Sequence, residues 1–159
     1  MRYPSYWKLN PNFTERYEGK DGFFQVSAIN GENMSTDEVA KNEVFHKLNP
    51  YGSNPKIINR IIDGQEARLI LPSADQAEEM QNQAGLIVEY PEAVKIGDSV
   101  YYYFVLWADE AHIEQIGNTM TFLNELKEMT YDTLDGSKMI LEGERYFTVS
   151  SAPGNIKRG

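Results

Sequence analysis

From Phe23 to Ile29 the chain reads Phe-Phe-Gln-Val-Ser-Ala-Ile, a near alternation of period two that predicts a strand. A short strand over 14–18 precedes it, and Gly19-Lys20-Asp21-Gly22 lies between them. Two glycines there supply positions free to take positive φ, so the two runs predict a hairpin. Residues 57–62 and 66–71 are a second strand pair, joined at Asp63-Gly64, a strong signal for a two-residue turn. Residues 84–90 form a strand that Pro91 should end, and Ile96-Gly97-Asp98-Ser99 is a further turn. Residues 100–107, Val-Tyr-Tyr-Tyr-Phe-Val-Leu-Trp, are apolar on both alternating faces. That pattern predicts a central strand covered on both sides.

Helical spacing enters twice. Ser35-Thr36-Asp37-Glu38 matches a capping box, and the helix it starts should run to about Lys47, before Asn49-Pro50-Tyr51-Gly52. Asp109 is the expected N-cap of a second helix, whose apolar seam is Ile113, Ile116, Met120 and Leu123. Residues 1–13 are aperiodic, and a short helical turn is expected within 74–80. Near the C-terminus, 138–141 and 145–150 flank Glu142-Gly143-Glu144 and predict another hairpin. Residues 151–159 are small and polar, with a basic end, and read as a flexible tail. The order predicts an α+β fold, an antiparallel sheet with helices packed on it. Its parts are a domain over 1–126, an appended β-hairpin over 127–150 and the tail.

Composition narrows the class of function. The 159 residues carry 24 acidic and 15 basic side chains, a formal charge of −9. A field of that sign repels phosphate backbones and favours a basic partner or a cation, although it also serves solubility alone. Cysteine is absent, which excludes disulfides, thiolate metal sites and cysteine nucleophiles. No apolar run is long enough to span a membrane, so membrane insertion is not expected. The opening Met1-Arg2-Tyr3-Pro4-Ser5 does not read as a signal peptide. A cytoplasmic location is the default expectation, and an extracytoplasmic one follows if the chain is part of a longer protein.

Tyr3-Pro4-Ser5-Tyr6-Trp7, followed by Tyr17-Glu18-Gly19-Lys20-Asp21-Gly22-Phe23-Phe24-Gln25-Val26, resembles the opening of PsbP-like domains. Tyr103-Phe104-Val105-Leu106-Trp107-Ala108-Asp109, Ile113-Glu114-Gln115-Ile116 and Thr121-Phe122-Leu123 resemble the close of that family's domain. The likeness extends over about residues 3–123 and is nearest to PsbP-like domains of Gram-positive bacteria. It implies an α/β/α sandwich around an antiparallel sheet, used to bind proteins or ions, with no shared catalytic residues to carry over. The strands that precede this opening in the family have no counterpart here, and neither do residues 124–159.

Candidate chemistry is sparse. Asp109, Glu110, His112 and Glu114 crowd one helix start, and Asp109 and His112 are spaced to meet, so they form a candidate interaction or ion site. Carboxylates also gather at helix N-termini for the dipole alone. His46, the other of two histidines, has Glu43 and Asn42 within a helical turn, the minimum for general base work. No serine elbow, dinucleotide fingerprint or phosphate loop accompanies it. Tyr3, Tyr6 and Trp7 are a candidate aromatic surface, with core packing as the plain alternative. The leading expectation is a non-catalytic protein-interaction or ligand-binding module with an acidic surface and no cofactor. The alternative is a small metal- or His-dependent hydrolase. The expected partner is another protein, with self-association through an open sheet edge as a second route; nucleic acid is not expected.

Overall fold

The structure, a computed structural model, describes residues 1–122 and three short strand segments beyond them, Lys138–Met139, Phe147–Thr148 and Ser150–Ser151. In chain order the elements are β1 (Arg2–Tyr3), β2 (Lys8–Leu9), β3 (Arg16–Gly19), β4 (Gly22–Ile29) and α1 (Thr36–Val44). Then come β5 (Lys56–Ile62), β6 (Gln65–Leu71), a 3₁₀ turn (Glu78–Met80), β7 (Gln83–Ile96), β8 (Ser99–Asp109) and α2 (Ile113–Gly117). The late segments are β9 (Lys138–Met139), β10 (Phe147–Thr148) and β11 (Ser150–Ser151).

Seven strands form one antiparallel sheet in the order β2-β3-β4-β8-β7-β6-β5. With its two short helices the fold is of the α+β kind. β8 is the middle strand. Its even positions Phe104 and Leu106 are buried in one apolar cluster, and its odd positions Tyr103 and Val105 in another. Both faces of the central strand are therefore covered, as the double apolar pattern requires. The first cluster lies beneath Met1, Tyr3, Trp7 and α2, through Ile113 and Ile116. The second lies beneath α1, through Val39, Ala40 and Val44.

Local chemistry explains the element ends. The Ser35 hydroxyl accepts from the Glu38 N–H, and the Glu38 carboxylate accepts from the Ser35 N–H, a complete capping box. Asp63 and Gly64 both take positive φ, 51° and 81°, as a primed two-residue turn demands. Helix α1 stops at Val44, short of Lys47, because the chain turns off at Phe45 and tightens again through the Asn49 N–H to His46 C=O bond.

Three expectations need correction. Pro91 does not end its strand: β7 runs on to Ile96, and the register shifts between Glu89 and Val94. A proline is tolerated at such a bulge because the ladder asks for no N–H there. Asp109 does not cap the second helix. It is the last residue of β8, and the N-cap position of α2 is His112, without a side-chain capping bond. Gly19 and Gly22 do not take positive φ. They are glycines because a Cβ at Gly19 would collide with the Trp7 indole, and one at Gly22 with the Asp109 carboxylate.

Beyond residue 122, Phe147–Thr148 pairs antiparallel with Lys138–Met139, and Ser150–Ser151 pairs parallel with Arg2–Tyr3. Leu123, the turn at Glu142-Gly143-Glu144 and the tail over 152–159 lie outside the described residues.

Candidate functional site

Helix α1 covers only part of its face of the sheet. It packs on β6 and β7, while Phe23, Gln25 and Ser27 of β4 face the same side beyond its reach. Those positions are half-buried or exposed. At the Phe23 end of this strip lies an open cleft of about 690 Å³, bounded by the β3–β4 hairpin, the end of β8 and the loop before β7. It is lined by four carboxylates, Glu18, Asp21, Asp109 and Glu110, against two cations, Arg16 and Lys20.

Each wall is held by specific bonds. Glu18 accepts from Arg16 at 2.8 Å and from the Asn10 amide at 2.7 Å, and the Arg16 bond keeps its carboxyl below the ordinary carboxylate value. The Arg16 guanidinium also stacks on the Phe23 ring, 4.1 Å from its centroid, with Phe13 on another side at 5.1 Å. Asp21, at the hairpin tip, accepts from the Tyr6 hydroxyl at 2.6 Å and the Trp7 indole N–H at 2.8 Å. These bonds, led by that of Tyr6, lower the pKa of Asp21. The far rim hangs on one buried amide. Gln76 donates through Nε2 to the carbonyls of Pro50 and Gln83, and its Oε1 accepts from the Asn82 N–H, each at 2.9 Å.

The four helix-start residues part company. Asp109 is buried, accepts from the Phe23 N–H at 3.0 Å and is hydrogen-bonded to His112 Nδ1 at 2.6 Å. The other ring nitrogen of His112, Nε2, faces the Asp21 carboxylate at 4.0 Å, and its ring meets Trp7 edge-on. Glu110 lines the cleft. Glu114 turns away to Arg60, at 3.0 Å, on the opposite wing of the sheet. Among the described residues no group of three or more His, Asp or Glu side chains is arranged to hold a metal ion.

The aromatic surface is mostly interior. Tyr3 and Trp7 are core residues, since Phe24 and the first apolar cluster offer them more buried area than solvent would leave. Tyr6 alone of the three is exposed, at 60%. Phe13, at 51%, adds a second exposed ring beside the cleft through Arg16. His46 is exposed just past α1, where its Nδ1 accepts from the Leu48 N–H. Glu43 does not serve it: that carboxylate accepts from the Tyr51 hydroxyl at 2.6 Å and the Trp107 indole at 2.8 Å. The two histidines follow and precede helices on opposite faces of the sheet.

Asp21, Glu18 and Phe23 carry much of the site and were not marked by the sequence. The only signal was the Gly-Lys-Asp-Gly turn, which advertises its glycines and not its aspartate. No helix among the described residues is long and apolar enough to cross a membrane. Set against protein-family models, curated proteins and solved structures, the chain matches none of them.

Proposed function

We propose that this chain is a non-catalytic binding module that takes a basic polypeptide segment in the cleft at the β3–β4 hairpin end of its sheet. One observation carries the reading: four carboxylates against two cations line a cleft, and the exposed rings of Tyr6 and Phe13 each contact one of its lining residues, Asp21 and Arg16. Acidic walls steer a cationic partner, and exposed rings at the rim give it apolar anchors. The three-layer, PsbP-like form of the sandwich belongs to the same proposal, and rests on the opening and closing motifs together with one helix on each face of an antiparallel sheet.

The Asp109–His112 pair supports a second reading, a His-dependent hydrolase, because a buried carboxylate orients the imidazole as a general base requires. Against it, Nε2 looks onto the Asp21 carboxylate where a nucleophile's hydroxyl would be needed.

The test is a titration of the full chain with a lysine-rich and a glutamate-rich peptide of equal length, followed by amide chemical shifts. Saturable shifts at Gly19, Gly22 and Glu110 with the basic peptide, weakened several-fold in Glu110→Lys, are expected. Equal responses to both peptides, or shifts confined to other surfaces, would sink the proposal.

A further inference from the structure

The two edges of the large sheet are unequal. The β2 edge is two residues long, while the β5 edge is seven residues long, without proline and without a register shift. Short strands, bulges, prolines and charged side chains blunt an edge; β5 has none of the first three, and of its two charges Arg60 is already paired with Glu114. Among the described residues nothing pairs with its outer side.

Hairpin geometry says which groups that outer side presents. Ile62 and Gln65 flank the two-residue turn, so they form a hydrogen-bonded pair. Alternation then directs the N–H and C=O groups of Lys56, Ile58, Arg60 and Ile62 toward β6. Those of Ile57, Asn59 and Ile61 point outward. The Asn59 carbonyl accepts from its neighbour's guanidinium, Arg60, at 3.1 Å, and keeps a second lone pair.

We infer that β5 is a self-pairing edge, and that a second copy of this chain adds to it antiparallel about a twofold axis at Asn59. This interface is separate from the cleft, and does not depend on the reading given to the cleft. The register follows from the sequence Lys-Ile-Ile-Asn-Arg-Ile-Ile. Asn59 meets Asn59 of the second copy, and Ile57 meets Ile61, so the three outward residues satisfy one another. Side chains agree with the backbone. Ile57 is half-buried against the α1-side cluster, while Ile61, on the same face, is 67% exposed. Pairing sets each exposed Ile61 against an Ile57. On the other face Arg60 comes opposite Ile58, so no like charges face each other directly, and Glu114 already neutralises Arg60. A twofold pairing of this kind closes on itself and builds no filament.

The experiment combines the mass of the full chain, by sedimentation from about 10 µM to about 1 mM, with amide hydrogen exchange. Doubling of the mass with concentration is expected, with the Ile57, Asn59 and Ile61 amides protected only in the dimer. Ile58, Arg60 and Ile62 serve as internal controls, protected throughout. Ile61→Lys, at an exposed position, and Asn59→Pro, which removes an outward N–H, should both give a folded monomer. A monomer at every concentration overturns the inference, whether the three amides exchange freely or are protected by the chain itself. So does a dimer in which they exchange as fast as in the monomer, or one that both substitutions leave intact.

Discussion

Ser27 and Val105 stand directly opposite each other in the sheet, on the same face, yet Val105 is fully buried and Ser27 is exposed. The boundary of the cover that α1 provides therefore falls between two adjacent strands. An aspartate on either side of it should have opposite consequences. Val105→Asp places an unpaired charge in the core, at a cost of several kcal/mol, on the order of a whole domain's stability. It should abolish soluble expression. Ser27→Asp should express and melt as the parent chain does, and equal behaviour of the two would refute the boundary.

Gly85 leaves room for the Tyr51 hydroxyl, which would lie 2.5 Å from any Cβ placed there. Tyr51 is wholly buried, and its hydroxyl donates to Glu43. Gly85→Ala should push the ring aside and cost about 1–3 kcal/mol, the usual toll of overpacking. Tyr51→Phe removes the obstructing atom, so the double variant should lose less than the sum of the two single losses. Urea unfolding of all four proteins measures that difference, and strict additivity would show the contact to be unimportant.

Acid should release the hairpin tip. The Asp21 carboxyl is held below its ordinary value of 3.8, first by the Tyr6 hydroxyl and then by the Trp7 indole, and an unfolded chain lacks both bonds. A depressed carboxyl contributes stability that is complete above the unfolded value and vanishes as pH falls through the folded one. The Trp7 indole proton should therefore hold its resonance down to about pH 4 and shift below it. Asp21→Asn should remove that acid shift, and an unchanged titration in this variant would assign it to another group.

The parts of the fold that were legible in the sequence are those set by neighbours along the chain. The turn at Asp63-Gly64 needs only two residues that tolerate positive φ, and the Ser35 cap needs only Glu38. The central strand was legible because burial on both faces writes itself into every position of residues 100–107. What was not legible depends on partners far off in sequence. Asp109 looked like a cap because the helix start is local, but Phe23, 86 residues away, claims its carboxylate. Glu114 looked like part of a cluster until Arg60, 54 residues away, drew it off. Pro91 read as a stop because nothing nearby reveals a bulge, and the sequence left Tyr3 and Trp7 open between surface and core because the cover that decides it comes from Phe24 and α2.

Gln76 secures the loop that rims the cleft through bonds to Pro50, Gln83 and Asn82. A loop fixed in this way has surrendered its conformational entropy during folding, before anything enters. Ordering a mobile interface loop on association costs about 0.5–1.5 kcal/mol for each side chain immobilised. Here that loss falls on folding for the Gln76-held loop, so a segment bound in the cleft would have one wall fewer to order.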